Sequence, residues 1–289
     1  MGEEKMIILD FHQVMIANIL SHLTSKTINN SEMEENIVRH MILNSLRVIH
    51  NKFKDDFGNM VIAYDKSSWR KQVFPYYKHG RRKTQDKSPV DWYKLFEFLG
   101  RIKPELKEVL PYKVIEVEGC EADDIIGVLT RYVTRPPLSE DVLIVSGDKD
   151  FIQLHNEKVR QYDPVRKKYV SNKLHPKDYL FEHICRGDAG DGIPNVLSDD
   201  NTFVDPGKRQ TPLTKKRMEE VRYGLSTNTH VSRNFARNEQ LIDLTKIPEP
   251  LTIQVMSSYA DQPVRDRQKL VQYLMQKNCQ YLLEHIRDF

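Results

Sequence analysis

The chain has 289 residues, of which 39% are hydrophobic, so it can form one large folded domain or two smaller ones. Its 44 Lys and Arg residues nearly balance 41 Asp and Glu residues, and the formal charge of +3 does not by itself indicate a polyanionic partner. Cys120, Cys185 and Cys279 are far apart, which argues against a disulfide framework or a thiolate zinc site and fits a reducing cytoplasm. No segment has the roughly 18 apolar residues of a membrane span, so we expect a soluble, cytoplasmic protein without membrane association.

Three short apolar runs that end in acidic or polar residues predict buried strands of a parallel sheet, at residues 6–10, 60–65 and 142–148. Between the first two runs we predict a helix that begins with a capping box of Ser31 and Glu34. Its apolar stripe comprises Ile37, Met41, Ile42, Leu46, Ile49 and Phe53. A strand, a helix and a strand in this order predict a βαβ crossover.

The α/β pattern continues to about residue 150. A strand at residues 112–117 precedes a helix at about residues 121–133, in which Ile125, Val128, Leu129 and Tyr132 recur at helical spacing. Short strands at residues 159–162 and 168–170 flank a turn and predict an edge hairpin. Beyond about residue 175 the pattern is mainly helical, with a long loop at residues 198–214.

We therefore expect two domains. Residues 1–175 are predicted to form an α/β domain with a mostly parallel central sheet and flanking helices. Residues 176–289 are predicted to form a smaller, mainly helical domain.

Acidic residues gather where such a sheet binds ligands, in the crevice at the carboxyl ends of its strands. Seven of them, from four separate segments, are expected there: Asp10, Asp65, Glu121, Asp123, Asp124, Asp148 and Asp150. Singly, each could be a turn residue, a helix cap or a charge at a helix N-terminus. Together they would repel one another unless a cation neutralised them, and oxygen ligands without His or Cys favour Mg²⁺ or Mn²⁺ over zinc. We interpret the cluster as a two-metal site that cleaves phosphodiester bonds.

A basic and aromatic segment, residues 66–83, directly follows Asp65 and contains no acidic residue. Cations attract phosphates, and exposed aromatic rings stack on unpaired bases with about 1–3 kcal/mol per base. A solvated basic loop or a nuclear-localisation-like patch is the alternative. Because the segment continues the strand that carries Asp65, we favour contact with nucleic acid.

A third segment, residues 186–196, is rich in glycine and aspartate. Gly190 and Gly192 would let backbone amides approach a phosphate, and Asp188 and Asp191, three residues apart, can face one cation. An ordinary connection between two helices would have a similar composition, so this segment alone is ambiguous.

Three motifs in chain order, at residues 119–127, 146–154 and 187–194, resemble the signatures of the structure-specific 5′-nuclease family. This family comprises the flap endonucleases and the 5′-nuclease domains of bacterial DNA polymerases. The chain length, the helix around residues 39–45 and the last four residues resemble its ribonuclease H branch from T-even-like phages, and the resemblance spans nearly the whole chain. It implies a 5′→3′ exonuclease with ribonuclease H and flap endonuclease activity that clears primers from lagging-strand fragments.

The resemblance also implies residue roles. Asp10, Asp65, Asp123 and Asp148, with Glu121 and Asp124 nearby, would serve a first Mg²⁺, whereas Asp150, Asp188 and Asp191 would serve a second; Mn²⁺ would substitute. Lys78 and Arg81 match the basic residues that hold the scissile phosphate, and Tyr77 matches an aromatic that stacks on the terminal base. Further contacts with nucleic acid are expected from Arg70, Arg82 and Lys83.

Residues 187–221 correspond to the family's helix–three-turn–helix, which grips the duplex, and here an insertion through Pro212 replaces the expected second glycine pair. We expect Lys215 and Lys216, among other cations, to take over duplex contacts. Residues 66–110 correspond to a short arch or bridge, in which Trp92 and Phe96 either pack inward or gate the substrate. The amphipathic C-terminus either packs inward or docks a replication partner, such as a single-strand-binding protein or a sliding clamp, on a monomeric enzyme.

Three other interpretations compete with this one. A PIN-type ribonuclease shares the α/β core but usually lacks the segment around Asp188 and the helical second domain. A binding scaffold that has lost catalysis would have no reason to keep every carboxylate. A phosphatase or phosphotransferase with Asp148 as its nucleophile does not account for the basic aromatic segment.

Overall fold

A computed structural model describes residues 5–25, 35–88, 90–224, 228–263 and 265–289. Its centre is a six-stranded sheet in the order β3-β2-β1-β4-β5-β6, in which β6 alone runs antiparallel to its neighbour. The strands are β1 Lys5–Asp10, β2 Asn59–Ala63, β3 Lys113–Ile115, β4 Asp141–Val145, β5 Val159–Asp163 and β6 Lys168–Tyr169. The predicted mostly parallel sheet and its edge hairpin are confirmed, but β3 is shorter than the strand predicted at residues 112–117.

Helices flank this sheet and form most of the chain after residue 175. The first six are α1 Phe11–Ser25, α2 Glu35–Phe57, α3 Arg70–Val73, α4 Arg81–Asp86, α5 Trp92–Val109 and α6 Ala122–Val133. The others are α7 Pro176–Arg186, α8 Lys215–Arg222, α9 Thr229–Ile242, α10 Glu249–Asp261, α11 Gln268–Gln276 and α12 Gln280–Glu284. Short 3-10 helices span Lys149–Leu154 and Ile286–Asp288. In the described parts of the chain, no helix combines the length and the apolar character needed to cross a membrane.

Two predicted helices differ in detail from expectation. The capping box of Ser31 and Glu34 falls outside the described residues. Within the two predicted apolar stripes, Ile37 of α2 is 50% exposed and Tyr132 of α6 is 40% exposed. The other members of each stripe face the protein interior at least in part.

Side chains of the central strands alternate between two buried layers. In β1, Ile7 and Leu9 belong to a layer formed with α1, α2 and α5, whereas Met6 and Ile8 belong to a layer formed with α6 and α10. This alternation is the period-two geometry of a strand that is buried on both faces. It leaves the carboxyl ends of the strands free to present polar side chains.

Helices that follow residue 175 pack in two different ways. Parts of α7, α8 and α9 form two small apolar clusters of their own, one of which includes Phe74 and Tyr77 from the basic segment. By contrast, α10 packs in the layer with α6, and α11 and α12 pack in the layer with α2 and α5. The last residue, Phe289, is fully buried there. The C-terminal segment thus packs against the sheet, and the domain boundary at residue 175 stays a prediction.

Candidate active site

Two carboxylates lie at the carboxyl ends of neighbouring strands. Asp10 ends β1 and is 3% exposed; its Oδ1 accepts a hydrogen bond from the Gln13 amide at 3.2 Å and its Oδ2 accepts one from Ser146 Oγ at 3.0 Å. Asp65 follows β2, and its Oδ1 accepts a hydrogen bond from the Ala122 amide at 2.8 Å. Because Ala122 opens α6, Asp65 fixes the start of that helix beside the strand ends.

Three further carboxylates approach from α6 and from the segment after β4. Asp123 lies in the first turn of α6, and Asp148 is the N-cap of the 3-10 helix that contains Asp150. Asp148 Oδ1 accepts the Asp150 amide at 2.9 Å. Since β4 lies beside β1, this turn brings Asp148 next to Asp10, as the sequence predicted.

Mutual repulsion is visible in the pKa values of these carboxylates. Burial, with the charges of Asp65 and Asp148, raises the pKa of Asp10 to about 8. Burial and the charge of Asp148 raise the pKa of Asp150 to about 7, and burial with Asp148 and Asp10 raises the pKa of Asp123 well above its usual range. Carboxylates in this condition take up protons near neutral pH unless a cation neutralises them. The donor set therefore fits hard divalent ions.

Asp65 differs from its neighbours because a histidine ring lies against its carboxylate. His12 Nδ1 lies 2.7 Å from Asp65 Oδ2. Burial opposes the charge of Asp65, but the contact with His12, the Ala122 amide and the charge of Lys78 together outweigh burial and lower the pKa of Asp65 to about 2. The Lys103 ammonium on α5 also donates a hydrogen bond to the Asp65 carbonyl at 2.9 Å. Neither His12 nor Lys103 was singled out from the sequence.

A second group of possible ligands lies where α7 meets the 3-10 helix. Oxygen atoms of Asp150 and Asp188 and a ring nitrogen of His183 all lie within 4.8 Å of one another, so they could hold one ion. Asp188 Oδ1 accepts the amides of Gly190 at 2.7 Å and Asp191 at 3.1 Å. The structure thus brings the predicted Asp150 and Asp188 together. The sequence interpretation, which assumed ligands without histidine, missed His183, although its position in the last turn of a helix just before Asp188 was visible.

Glu121 and Asp124 occupy a different position, inside a buried network of ion pairs. Both carboxylate oxygens of Asp124, which is 0% exposed, contact Arg70, and Oδ2 also accepts the Glu121 amide at 3.0 Å. Glu121 accepts hydrogen bonds from Ser68 at 2.8 Å and from Tyr77 at 2.8 Å. Both residues lie at the start of α6. The alternative that we considered for them, a charge at a helix N-terminus, therefore describes their position.

Arg70 and Tyr77 are enclosed by this network. Arg70 is 3% exposed, and its Nε donates to the Leu241 carbonyl at 2.7 Å. Tyr77 is 5% exposed, and its hydroxyl lies 2.8 Å from Glu121 Oε2 and 3.0 Å from Asp191 Oδ2, so its single hydrogen is donated to one or shared between the two carboxylates. Neither side chain presents a surface to nucleic acid in this conformation, because long-range partners that the sequence does not reveal cover both of them.

Lys78 and Arg81 lie between this buried network and the segment around Asp191. Lys78 Nζ is 2.5 Å from Glu121 Oε1 and 3.6 Å from Asp191 Oδ2, and Arg81 is 2.5 Å from Asp191 Oδ1. Burial opposes the charge of Lys78, but Asp191 and Glu121 outweigh burial and raise the pKa of Lys78, so it stays an ammonium. Asp191 therefore pairs with cations and does not lie within the group formed by Asp150 and Asp188.

The backbone holds Lys78 in place from the opposite segment. Lys78 has φ 59°, in the left-handed region, and its amide donates to the Asp191 carbonyl at 2.7 Å. Gly192 also has a positive φ, and a Cβ there would lie 2.8 Å from the Tyr76 carbonyl oxygen. A close approach of this kind requires glycine, so Gly192 allows the basic segment to dock against the loop that carries Asp188.

A cavity of about 620 Å³ opens beside these cations, between the strand ends and the helices of the predicted arch. Its wall includes Asp65, Lys78 and Arg81 together with Trp92 and Phe96. The rings of Trp92 and Phe96 stack with centroids 5.7 Å apart. The two aromatics thus line a solvent-filled space as well as packing on each other.

Other predicted contacts with nucleic acid are on the surface. Arg82, Gly190, Lys215 and Lys216 are exposed, the last two at the start of α8. The Lys83 side chain lies outside the part of the structure that is described. In the described structure no direct contact links α8 to the carboxylates of the site. The predicted contact of α8 with the duplex therefore stays a prediction.

Comparison with known proteins identifies the family. Residues 5–180 match the family model of the 5′-3′ exonuclease N-terminal resolvase-like domain. Ribonuclease H of enterobacteria phage T4 is 29% identical over 99% of this chain and 96% of its own length. DNA polymerase I of Lactococcus lactis subsp. cremoris is 34% identical over 48% of this chain, which corresponds to 16% of the polymerase.

Solved structures agree on the fold. The T5 D15 protein co-crystallised with metal ions covers 97% of this chain and 98% of its own, with a TM-score of 0.57 at 15% identity. The T5 5′-exonuclease with bound zinc covers 88% of this chain and 93% of its own, with a TM-score of 0.58 at 16% identity. The chain therefore belongs to the 5′-3′ exonuclease family.

Proposed function

We propose that this protein is a divalent-metal-dependent 5′→3′ exonuclease with ribonuclease H and flap endonuclease activity, which removes RNA primers and adjacent DNA during lagging-strand replication. Membership in the 5′-3′ exonuclease family supports the reaction class. The full-length similarity to a phage ribonuclease H supports action on RNA as well as DNA.

One observation carries the proposal. Carboxylates from four separate segments meet at the carboxyl ends of the strands, where several have raised pKa values and two cations lie next to them. A folded protein gains no stability from packing repelling charges together, so such a site is retained for what it binds.

Residues present at the site fit two divalent ions, for which we propose Mg²⁺ or Mn²⁺. Asp10, Asp65, Asp123 and Asp148 would hold one ion, directly or through water. Asp150 and Asp188 would hold the other, with Asp191 beside them. Bound there, such ions supply a nucleophilic water and neutralise the charge that develops on the phosphate.

The chain's own cations orient the substrate. Lys78 is held by Glu121, and Lys78 and Arg81 both line the 620 Å³ cavity that Asp65 also lines. Both are positioned to hold the scissile phosphate and to stabilise its charge in the transition state. His12 pairs with the Asp65 carboxylate and lowers its pKa, and Lys103 holds the backbone carbonyl of Asp65.

Substrates would be DNA and RNA·DNA duplexes with 5′ ends, flaps or nicks. Residues 187–221, including Gly190, Gly192, Lys215 and Lys216, would contact the uncut duplex as a variant helix–three-turn–helix within a second domain of residues 176–289. We further propose a monomer in the host-cell cytoplasm that works with a single-strand-binding protein or a sliding clamp.

Product mapping tests the proposal. The protein is incubated with Mg²⁺ and end-labelled substrates that carry a 5′ flap, a nick or an RNA primer, and the products are sized. We expect short products from the 5′ end and loss of all cleavage in chelator, with recovery on adding Mg²⁺. Release from the 3′ end, or cleavage that survives exhaustive chelation, would refute the proposal.

A further inference from the structure

His183 has an environment that suggests a ligand. Its Nδ1 lies 3.5 Å from Asp150 Oδ1 and its Nε2 lies 3.7 Å from Asp188 Oδ2. Both distances are too long for a strong hydrogen bond. Nδ1 is buried and has no hydrogen-bond partner among the described residues. A buried ring nitrogen without a partner is uncommon and requires an explanation.

The surrounding structure fixes the imidazole in this place. The Gly187 amide donates to the His183 carbonyl at 2.8 Å and ends α7, and the ring of Tyr179 packs edge-on at 6.0 Å. Asp188 uses Oδ1 for the amides of Gly190 and Asp191, which leaves Oδ2 facing His183. One oxygen from each of the two carboxylates and one ring nitrogen therefore lie within 4.8 Å of one another, close enough to share an ion.

We propose that His183 supplies a nitrogen ligand to the metal held by Asp150 and Asp188, so that this subsite prefers a first-row transition ion such as Mn²⁺ over Mg²⁺. The inference rests on the proposed function for the two carboxylates and adds the imidazole. Mg²⁺ takes oxygen ligands almost exclusively, whereas imidazole suits transition ions. The other group of carboxylates, around Asp10, contains His12 only as a partner of Asp65.

The alternative is a histidine that only pairs with the two carboxylates. Such a histidine would affect folding or charge at the site, but it would not bond to the ion. The magnetic coupling between a bound Mn²⁺ and a ¹⁴N nucleus separates the two cases, because a merely structural histidine leaves no such coupling.

The test uses the full chain, stripped of metal by chelation and titrated with Mn²⁺ in the absence of nucleic acid. Pulsed electron paramagnetic resonance detects ¹⁴N coupling, and competition with Mg²⁺ gives the relative affinities. We expect the coupling in the wild type and its loss in His183→Gln, with Mn²⁺ affinity reduced by at least about 10–100-fold, the effect of removing a residue that only supports a metal ligand. Mg²⁺ affinity should change much less, since Mg²⁺ relies on oxygen ligands.

Two matched variants control for the other histidines. His12→Gln removes the imidazole beside Asp65, and His22→Gln removes an exposed imidazole on α1; both should keep the ¹⁴N coupling. His183→Glu supplies an oxygen ligand instead, and we expect it to bind Mn²⁺ without ¹⁴N coupling and to favour Mg²⁺ more than the wild type does. If His183→Gln fails to fold, His183→Glu is used for the test in its place.

Coupling that persists in His183→Gln or His183→Glu, or that disappears in His12→Gln, would overturn the inference. Nuclease assays with Mg²⁺ are run separately on the same preparations. A wild type that cleaves but lacks ¹⁴N coupling contradicts only the nitrogen ligand. A wild type that has the coupling but cleaves no substrate contradicts only the proposed function.

Discussion

Glu121 and Asp124 belong to the same short motif as Asp123, yet their chemical roles differ. Asp124 is fully enclosed and both of its oxygens contact Arg70, whereas Asp123 faces Asp148 and Asp10. A helix turns about 100° per residue, so adjacent acidic residues point to different surroundings. Partners on other segments then decide whether a carboxylate is free for an ion or committed to an arginine.

Asp148→Asn tests the metal assignment at one residue. The substitution keeps the size of the side chain and its cap of the 3-10 helix but removes a charged ligand, while the cations that attract phosphates remain. We expect the cleavage rate to fall at least about 100-fold, the upper range for weakened metal sites, with binding to a 5′-flap duplex retained. Single-turnover rates and fluorescence-anisotropy titrations measure the two quantities.

The matched control is Asp141→Asn, at the opposite end of the same strand. It should leave both quantities unchanged. Normal turnover by Asp148→Asn would exclude Asp148 as a required ligand.

Lys78→Ala tests the phosphate-binding role. If the ammonium acts mainly on charge that develops in the transition state, we expect the rate to fall about 10²–10³-fold and affinity to fall much less. Lys71→Ala is the control, because Lys71 lines the same cavity but is exposed. An equal loss in rate and affinity for Lys78→Ala would indicate uniform substrate binding instead.

At the scale of single residues, the sequence predicted that carboxylates gather at the strand ends, but it did not predict all the residues that contact them. Asp10 and Asp148 could be placed because strand ends mark their positions, whereas Asp188 was placed by the family resemblance because its segment alone was ambiguous. The burial of Arg70 by Leu241 and Asp124 involves residues 171 and 54 positions away, and no local pattern encodes such contacts. His12 was missed for the same reason, whereas His183 was missed because we considered oxygen ligands only.

Among the elements, α3 is the short helix that connects the basic segment to the rest of the site. Arg70 in α3 pairs with Asp124 of α6 and donates to Leu241 of α9. One buried guanidinium thus ties three helices together below the catalytic carboxylates. Its removal would leave Asp124 as an uncompensated buried charge.

Arg70→Met is expected to lower the free energy of unfolding by about 3–5 kcal/mol, the usual effect of removing one partner of a buried ion pair. Urea unfolding followed by circular dichroism measures this change. Arg82→Met is the control, since Arg82 is exposed in the same basic segment, and it should change stability by less than about 0.5 kcal/mol. Unchanged stability combined with weaker DNA binding in Arg70→Met would support the sequence-based prediction of a nucleic-acid contact.

Element types were predictable where a local period was strong. The sequence pattern was sufficient to predict β1, β2 and β4 as strands and α2 and α6 as helices. A strand that is buried on both faces is continuously apolar, whereas a half-buried helix has an apolar stripe. The strand predicted at residues 112–117 was longer than β3. Tyr112 and Val117 are apolar and buried, but they lie outside the residues that pair with β2.

Across the whole molecule, the C-terminal helices pack in the same buried layer as the first strand. Leu270, Leu274, Leu282 and Phe289 lie in the same buried layer as Ile7 and Leu9 of the first strand. Nothing in the local pattern of the C-terminal helices indicated this return, because an amphipathic helix shows only that it packs, not where. The layer connects the two parts of the chain that the predicted boundary at residue 175 separates.

Phe289→Ala tests whether this connection stabilises the α/β part. Phe289 is fully buried, so its truncation should lower the free energy of unfolding by about 3–5 kcal/mol in a single cooperative transition. Met275→Ala, on α11 but 59% exposed, is the control and should have little effect. Urea unfolding is followed by Trp fluorescence, which reports on Trp69 and Trp92 in the first part of the chain. A shared layer requires that both parts of the chain lose stability together. If Phe289→Ala leaves the unfolding curve seen by Trp fluorescence unchanged, and residues 1–175 alone unfold as cooperatively as the full chain, the two parts are independent domains.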